Sequence, residues 1–283
     1  MNLDSNAKVL ADYNDVFADI MNVILYDGKR VIKEDSLENS KDRSQYKAEG
    51  KLHEQERDVS KYYNGNRMRI AFLGIEHENR DEPLMPLRVI SYDGSVYRSQ
   101  LLGRKTRKPF PVITLVLYFG MKHWPHGKSL HDVIDIQEEL KPFVSDYGIN
   151  VVEVAYLEPE QIEKFQSDFR LIADFFVQKR LKGKYNPPQI PIQHVDAFLK
   201  LLAVMVGDKR YQEIMEEMKQ NENEEGEVTM CEIYDQIEGQ GIEKGIQMER
   251  VHTMEQQKRA EAAEAEVQRL KKLLADSGRQ PNA

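Results

Sequence analysis

The stretch ERDVSKYYNGNRMRIAFLGIEHEN, residues 56–79, contains two strand-like runs with turn residues between them. The first run covers Arg57–Tyr63 and the second covers Arg67–His77. The connecting residues Asn64–Asn66 include an Asn-Gly pair, which between two such runs is a strong short-range signal for a hairpin. The sequence therefore predicts an antiparallel β-hairpin.

Three acidic residues belong to this hairpin: Asp58 in the first strand, and Glu76 and Glu78 at the end of the second. Residues i and i+2 of a strand face the same side, so Glu76 and Glu78 point together and the hairpin can bring Asp58 opposite them. Converging carboxylates repel one another unless a divalent cation compensates, and Mg²⁺ prefers such oxygen ligands. A metal ion held there can polarise a phosphodiester and lower the pKa of an attacking water. The spacing alone leaves a second interpretation open, namely solvated charges at strand ends.

The elements around the hairpin predict an α/β core. Apolar residues recur at helical spacing over Asp15–Tyr26, which predicts a helix, whereas residues 33–55 are rich in charge and predict an exposed loop or long connection. After the hairpin, a helical pattern runs from Pro86 to Leu101. The apolar run within 111–120 is typical of a central strand covered on both faces. We therefore expect a three-layer core with a mixed sheet in residues 1–155.

Beyond the buried strand, helical patterns dominate. The elements predicted there are a short helix, a strand and two long helices, at Ser129–Leu140, Ile149–Leu157, Pro159–Leu181 and Ile192–Met218. The predicted parts of the chain after the core are a helical extension, an acidic linker and a helical tail, at 156–220, 221–230 and 231–283.

The tail carries a short coiled-coil pattern. Apolar residues follow one another there at spacings of three and four, at Ala260, Ala263, Val267, Leu270 and Leu274. A stripe this narrow buries little area, so we expect a homo-oligomer, a dimer, that needs contacts from the body as well. Three glycines near the start of the tail, Gly239, Gly241 and Gly245, predict a helix with a frayed beginning.

Composition limits the class of protein. The chain has 283 residues and a net charge of −8, of which −7 lies in residues 216–283, so the body gives no overall signal for a polyanionic partner. A single cysteine, Cys231, excludes a disulfide framework and nothing marks it as a nucleophile. The longest apolar run, Val112–Phe119, is too short to span a bilayer, and no signal peptide is evident, so we expect a cytoplasmic protein. No phosphate-binding loop, dinucleotide fingerprint or serine elbow is present, and no nucleotide cofactor is expected.

The hairpin resembles the active-site hairpin of the Rpn family of recombination-promoting nucleases, also called transposase-like (YhgA-like) proteins, of the PD-(D/E)XK nuclease superfamily. Four further stretches are similar to that family: FADIMNVILYDGKRVI at 17–32, MPLRVISYDGSVY at 85–97, PVITLVLYFGMKHWPHGKSLHDVI at 111–134 and VTMCEIYDQIEGQGIEKG at 228–245. The resemblance implies a restriction-endonuclease-like core and a DNA endonuclease that depends on Mg²⁺ or Mn²⁺. It further implies that Asp58 binds the metal and that Glu76 is the acidic residue of the second half-motif.

The chain departs from the family pattern at Glu78. The superfamily usually has Lys at this position and this family typically has Gln. A lysine can orient the attacking water and stabilise the phosphorane-like transition state with its positive charge, which a carboxylate does not provide. Glu78 could instead act as general base or as a second metal ligand. The sequence therefore leaves two interpretations open. The chain is an active nuclease, or it is a catalytically weakened relative that binds DNA or protein.

Other candidate site residues come from the flanking helices and loops. Asp19, on the first helix, is a candidate for an additional metal ligand, or it is a polar residue on the exposed side of that helix. Arg88 and Tyr92 match family residues one helical turn apart, and their role is either phosphate contact or structural ion pairing. A basic cluster either holds DNA phosphates or forms a solvated loop, at Arg98, Arg104, Lys105, Arg107 and Lys108. A weaker second cluster comprises Lys179, Arg180, Lys182 and Lys184.

The histidines do not predict a metal site. His123 and His126 lie in one loop with the only tryptophan, Trp124, and lack a nearby acidic or cysteine partner in the sequence. We predict a loop anchored by Trp124. His77 lies between the two glutamates of the hairpin and is expected to point to the opposite face of the strand.

Overall fold

The structure is a computed structural model that describes residues 9–39, 44–48, 51–55, 59–64, 68–75, 82–102, 109–220 and 228–277. The chain divides into two compact units, Met1–Cys231 and Glu232–Ala283. The domain boundaries expected at residues 155 and 220 stay predictions.

The strands of the first unit form a mixed five-stranded sheet and a separate two-stranded ribbon. In chain order the strands are β1 (Leu37–Asn39), β2 (Ser44–Ala48), β3 (Lys51–Gln55), β4 (Val59–Tyr63), β5 (Met68–Ile75), β6 (Val112–Tyr118) and β7 (Asn150–Glu153). The sheet order is β1-β4-β5-β6-β7, and β2 pairs with β3. The pairs β1-β4 and β4-β5 are antiparallel, whereas β5-β6 and β6-β7 are parallel. The predicted hairpin is confirmed over the described residues by the pairing of Val59 with Phe72 and of Tyr63 with Met68.

Helices connect and cover these strands. They are α1 (Asn14–Tyr26), α2 (Met85–Leu102), α3 (Leu130–Val133), α4 (Pro159–Ile162), α5 (Phe169–Lys182), α6 (Val195–Val206), α7 (Arg210–Gln220) and α8 (Met230–Ser277). The first helix, the helix after the hairpin and the buried strand β6 are confirmed. None of the described helices is both long enough and apolar enough to cross a membrane.

Alternate residues of β6 face opposite helical layers. On one side, Val116 lies in a core cluster with Val89 of α2, and the Thr114 hydroxyl donates to the carboxylate of Asp93 on α2 at 2.6 Å. Leu115 and Leu117 lie on the other side, because strand side chains alternate between faces, and both are also buried. Just beyond the strand, Phe119 contacts Phe176 of α5 (ring centroids 5.4 Å apart). The sheet therefore lies between α2 on one face and α5 on the other.

Helix α1 ends at Tyr26, and the side chain of Asn22 within it holds the segment that returns past the helix. Asp27 adopts a left-handed conformation (φ 55°), and its N–H donates to the Asn22 carbonyl. The buried Asn22 amide donates to the carbonyl of Ile32 at 2.8 Å, and its oxygen accepts from the N–H groups of Ile32 and Val31 at 2.8 and 3.0 Å. This one side chain fixes the returning segment against the helix.

The prediction of a loop or long connection without strands at 33–55 is wrong. This segment contains β1, which pairs with β4 at the edge of the main sheet, and the β2-β3 ribbon. Short strands at a sheet edge or in a two-stranded ribbon need no continuous apolar run, so the charge-rich composition did not reveal them.

Both long helices predicted after residue 158 are interrupted. The first splits into α4 and α5, because the backbone N–H groups of Gln166 and Ser167 donate to the carboxylate of Asp19 rather than within a helix. The second splits into α6 and α7 at Gly207, which has a left-handed conformation (φ 70°) that ends α6.

Two shorter predictions were also too long. The helical pattern at 129–140 forms only α3 and then, at Glu138–Phe143, a 3₁₀ helix. The strand predicted at 149–157 ends at Glu153 and continues as a 3₁₀ turn, Val154–Tyr156.

The tail helix is more regular than predicted. The predicted fraying of its start is wrong, since α8 is continuous from Met230 through its glycines. The first two residues of α8 belong to the first unit, where Met230 is buried and the Cys231 thiol donates to the Pro187 carbonyl at 3.1 Å.

Candidate functional site

One edge of the main sheet carries the start of β4 and the ends of β5, β6 and β7. The register places Ile75 of β5 beside Tyr118 of β6, and Tyr118 beside Glu153 of β7. Because β4 runs antiparallel to β5, its first residue, Val59, lies at the same edge, opposite Phe72. We call this the carboxyl edge.

The three candidate catalytic residues adjoin this edge in sequence. Asp58 directly precedes Val59, and Glu76 directly follows Ile75. Asp58, Glu76 and Glu78 themselves lie outside the described residues, so their convergence stays a prediction. Within the described residues, no group of three or more His, Cys, Asp or Glu side chains is arranged to hold a metal ion.

Asp19 links α1 to the turn before α5. One carboxylate oxygen, Oδ2, accepts hydrogen bonds from Gln166 N, Ser167 N and Ser167 Oγ at 2.8, 2.8 and 2.7 Å. Asp19 also lines an open cleft of about 480 Å³ with Arg30 and Lys164. These contacts give Asp19 a structural role, and its role as a metal ligand stays a prediction.

Arg88 and Tyr92 form part of a polar group on α2. The Arg88 guanidinium is 2.9 Å from the Glu82 carboxylate, and Tyr92 is buried. Burial of the guanidinium lowers the pKa of Arg88, but its hydrogen bond and charge interaction with Tyr92 and its pairing with Glu82 outweigh this, so the pKa is raised. The structural pairing considered from the sequence is therefore present, and phosphate contact by these residues stays a prediction.

Of the first basic cluster, only Arg98 belongs to the described residues. It is exposed near the end of α2. Arg104, Lys105, Arg107 and Lys108 lie outside the described part of the chain, so their role in DNA binding stays a prediction. Of the second cluster, Arg180 is half-buried on α5 and reaches the carboxyl edge.

Glu153 organises the carboxyl edge at the end of β7. Its carboxylate accepts from the N–H of Trp124 at 2.6 Å, and it lies 3.1 Å from His123 Nδ1 and 3.6 Å from Lys128 Nζ. Burial raises the pKa of Glu153, but the Trp124 N–H, His123 and Lys128 together lower it below the usual glutamate value. Glu153 is thus held ionised as the anchor of the 119–128 loop.

The loop itself is shaped by close packing. Trp124 is buried against the ring of Tyr118 (centroids 5.2 Å apart), which confirms that this residue anchors the loop. Gly120 passes the same ring so closely that a Cβ atom would lie 2.1 Å from Tyr118 Cζ, so only glycine fits there.

A three-layer stack lies beside Glu153. The His123 ring is stacked on Tyr156 with centroids 3.7 Å apart, and the guanidinium of Arg180 lies 4.2 Å from the centre of the same Tyr156 ring. Two groups this close to one ring centre must occupy opposite faces. Arg180 is fixed in turn by its Nε, which donates to the Ala155 carbonyl at 2.6 Å. We call His123, Tyr156 and Arg180 the edge stack.

A second polar group, missed by the sequence analysis, joins α1 to α6. The buried carboxylate of Asp168 accepts from the backbone N–H groups of Gln193 and His194 at 2.9 and 2.7 Å, and the His194 ring contacts Asp15 at 2.9 Å. Burial raises the pKa of Asp168 more than these donors lower it. No local pattern reveals this group, since its members are far apart in sequence.

Two further buried polar residues also escaped prediction. Lys61 on β4 is 1% exposed and donates to the carbonyl of Asp12 at 2.6 Å and to Asn39 Oδ1 at 2.5 Å. Asp93 on α2 accepts from Thr114 and from the Tyr147 hydroxyl at 2.5 Å. Both belong to the internal hydrogen bonding of the fold.

Comparison with known proteins identifies the class. Residues 48–187 match the model of a family described as "Putative transposase, YhgA-like". This region of the chain includes the hairpin, α2, β6, the 119–128 loop and the edge stack, and its match confirms the resemblance to YhgA-like proteins inferred from the sequence. No curated protein and no solved structure matches the chain.

Proposed function

We propose that the chain is a metal-dependent DNA endonuclease of the recombination-promoting, transposase-like type. The observation that carries this proposal is the match of residues 48–187 to the YhgA-like putative transposase family, together with a β4-β5 hairpin directly flanked by Asp58 and Glu76. DNA as the partner and a cytoplasmic location are parts of the same proposal.

The architecture supports a restriction-endonuclease-like core. A helix, α1, precedes the antiparallel strands β4 and β5, a second helix, α2, follows them, and β6 then joins the sheet parallel to β5. This order and the covering of both sheet faces by helices are what the family resemblance implies.

The donor set suits Mg²⁺ or Mn²⁺, since Asp58, Glu76 and Glu78 are all carboxylates. In this proposal Asp58 and Glu76 hold the ion, which supplies charge stabilisation to the phosphodiester and a more acidic bound water. Asp19 is the candidate for a further ligand from α1. Glu78 then accepts a proton from the attacking water or completes the ligand set.

Nicking of supercoiled plasmid in Mg²⁺ and in Mn²⁺ tests the proposal. We expect Asp58→Asn and Glu76→Gln each to lower the rate about 100-fold or more, because metal-ion stabilisation contributes several kcal/mol to such a reaction. Glu160→Gln removes an exposed carboxylate on α4 and should match the wild type. If Glu78 is the base, Glu78→Gln should also abolish the rise of the rate with pH.

The rival interpretation is a relative that binds DNA or protein without cleaving. Cleavage that is equal in wild type, Asp58→Asn and Glu76→Gln and that persists without metal would indicate a contaminant and remove the endonuclease proposal. Retention of DNA binding without any cleavage would favour the catalytically weakened relative.

We further propose that two chains pair through α8. Within the predicted seam, Val267 and Leu270 are half exposed on this helix. Burial of such side chains is worth about 25 cal/mol per Å² of apolar area, which gives two copies a reason to associate. A dimer also supplies the two catalytic centres needed for cutting both strands of a duplex.

A further inference from the structure

We propose that the edge stack is a platform on which an unpaired base of the DNA strand stacks. This inference rests on the proposed nuclease function and specifies the form of its substrate. It predicts a preference for single-stranded, flapped or frayed DNA over intact duplex at the carboxyl edge.

The geometry favours stacking because neighbouring residues hold the three side chains of the edge stack in place, while His123 at its end is exposed. Arg180 covers one face of Tyr156 and His123 covers the other, while Glu153 holds the His123 ring through Nδ1. The His123 side chain is nevertheless 71% exposed. An aromatic ring that is both fixed and exposed offers a flat surface to a base at little cost in conformational entropy.

The surrounding charge suits the phosphates that flank a stacked base. Lys122 and Lys128 lie in the same loop and are exposed. Glu153 is the opposing charge, and it is already engaged with the Trp124 N–H, His123 and Lys128. Sites for single strands combine aromatic side chains with such positive groups along the backbone path.

The position fits a substrate shared with the candidate catalytic residues. Glu153 and Ile75 are level with each other, two strand spacings apart, which corresponds to roughly 10 Å at about 4.8 Å per spacing. Successive nucleotides of B-DNA rise about 3.4 Å, so a strand at the end of β5 reaches the platform within a few nucleotides. One strand can therefore contact both places.

Binding of a single-stranded oligonucleotide that contains 2-aminopurine, compared with the same sequence as a duplex, tests this inference in the full chain. The measurement is made in EDTA, so that no cleavage is required and a failure of the nuclease proposal does not affect the result. We expect His123→Ala to weaken single-strand binding about tenfold or more and to abolish fluorescence quenching, with little effect on duplex binding. His123→Phe keeps a flat ring and should retain both affinity and quenching.

The control is His252→Ala, which removes an exposed histidine of α8 and should bind like the wild type. Removing Lys122 and Lys128 should reduce the salt dependence of binding by about 0.7 in log–log slope for each lysine. The inference is overturned if His123→Ala binds and quenches like the wild type, if His123→Phe loses as much as His123→Ala, or if single strand and duplex weaken equally. Circular dichroism shows whether each variant is folded. If His123→Ala is misfolded, His123→Gln, which likewise lacks an aromatic ring, replaces it with the same expected loss of single-strand binding and quenching.

Discussion

The compact unit Met1–Cys231 and the tail helix use polar residues in opposite ways. In the compact unit, Asn22 and Asp168 are buried and hydrogen-bonded to backbone groups of other segments. On the tail helix, side chains from 246 to 273 are exposed, and a pair such as Arg269 and Glu266, 3.5 Å apart, stays in water. Buried polar groups fix one chain path because an unmade bond is costly, whereas exposed ion pairs contribute little. Substitutions should therefore act on folding in the first unit and on assembly in the tail.

Among substitutions that test this comparison, Asn22→Ala in the compact unit is expected to cause the largest loss of stability. The change leaves the buried N–H and carbonyl of Ile32 without their partner, so we expect a loss of about 3 kcal/mol in the free energy of unfolding. Urea denaturation followed by circular dichroism measures it. Asn186→Ala is the matched control, since Asn186 is exposed and should change stability by less than about 0.5 kcal/mol. Equal stability of the two variants would break the comparison.

A smaller, pH-dependent effect is expected for Glu153→Gln. The wild-type carboxylate makes charge-assisted contacts that the amide replaces only in part, so we expect a loss of about 1–2 kcal/mol at pH 7. The folded-state pKa of Glu153 is lowered, so the unfolded chain binds the proton more readily. The stabilisation is therefore complete above the usual glutamate pKa of about 4.3 and is lost as the pH falls through the lower folded-state value.

Unfolding of wild type and Glu153→Gln between pH 3 and pH 7 checks this sign. The difference in stability should shrink toward acid, with Glu160→Gln showing no such trend, because Glu160 is exposed. A difference that grows as the pH falls would show that the carboxylate does not anchor the 119–128 loop as an ion.

The smallest effect on folding is expected in the tail. Leu270→Glu together with Leu274→Glu should change the free energy of unfolding by less than about 0.5 kcal/mol, as is usual for surface positions. The same variant should shift the mass found by sedimentation at micromolar concentration from dimer to monomer. Met248→Glu changes an exposed apolar residue of the same helix outside the seam and serves as the control. A wild-type chain that is itself monomeric, or a variant that stays dimeric, would contradict pairing through this seam.

Much of the sheet could be predicted because its signals are local. The Asn-Gly turn between two strand-like runs predicted the β4-β5 hairpin, and the uninterrupted apolar run predicted β6. Within the helical pattern predicted at 159–181, Phe165, Phe169 and Phe176 are all buried, so the apolar residues of that pattern do face the core. What failed was the continuity of the helix that carries them.

The failures come from partners that are distant in sequence. Asp19 ends the first predicted long helix from about 147 residues away, and no helical period reveals such an acceptor. The same limit applies to the candidate site. The Trp124 anchor was predicted, but the link of His123 to Glu153 was not, because it depends on β7 lying beside β6 in parallel register. The three carboxylates of the hairpin stay predictions from local spacing and family resemblance.

Strand β6 restricts where residues can be inserted into this chain. Its even-numbered residues meet α2, where Thr114 donates to Asp93, and its odd-numbered residues lie against the opposite layer. Inserting one residue would turn Thr114 into the apolar layer and Leu115 toward the Asp93 carboxylate, so both layers would be mismatched at once. Residues 137–143, by contrast, are exposed, so a loop graft, an affinity tag or a fluorophore would be accommodated there while the seven residues of β6 keep their number.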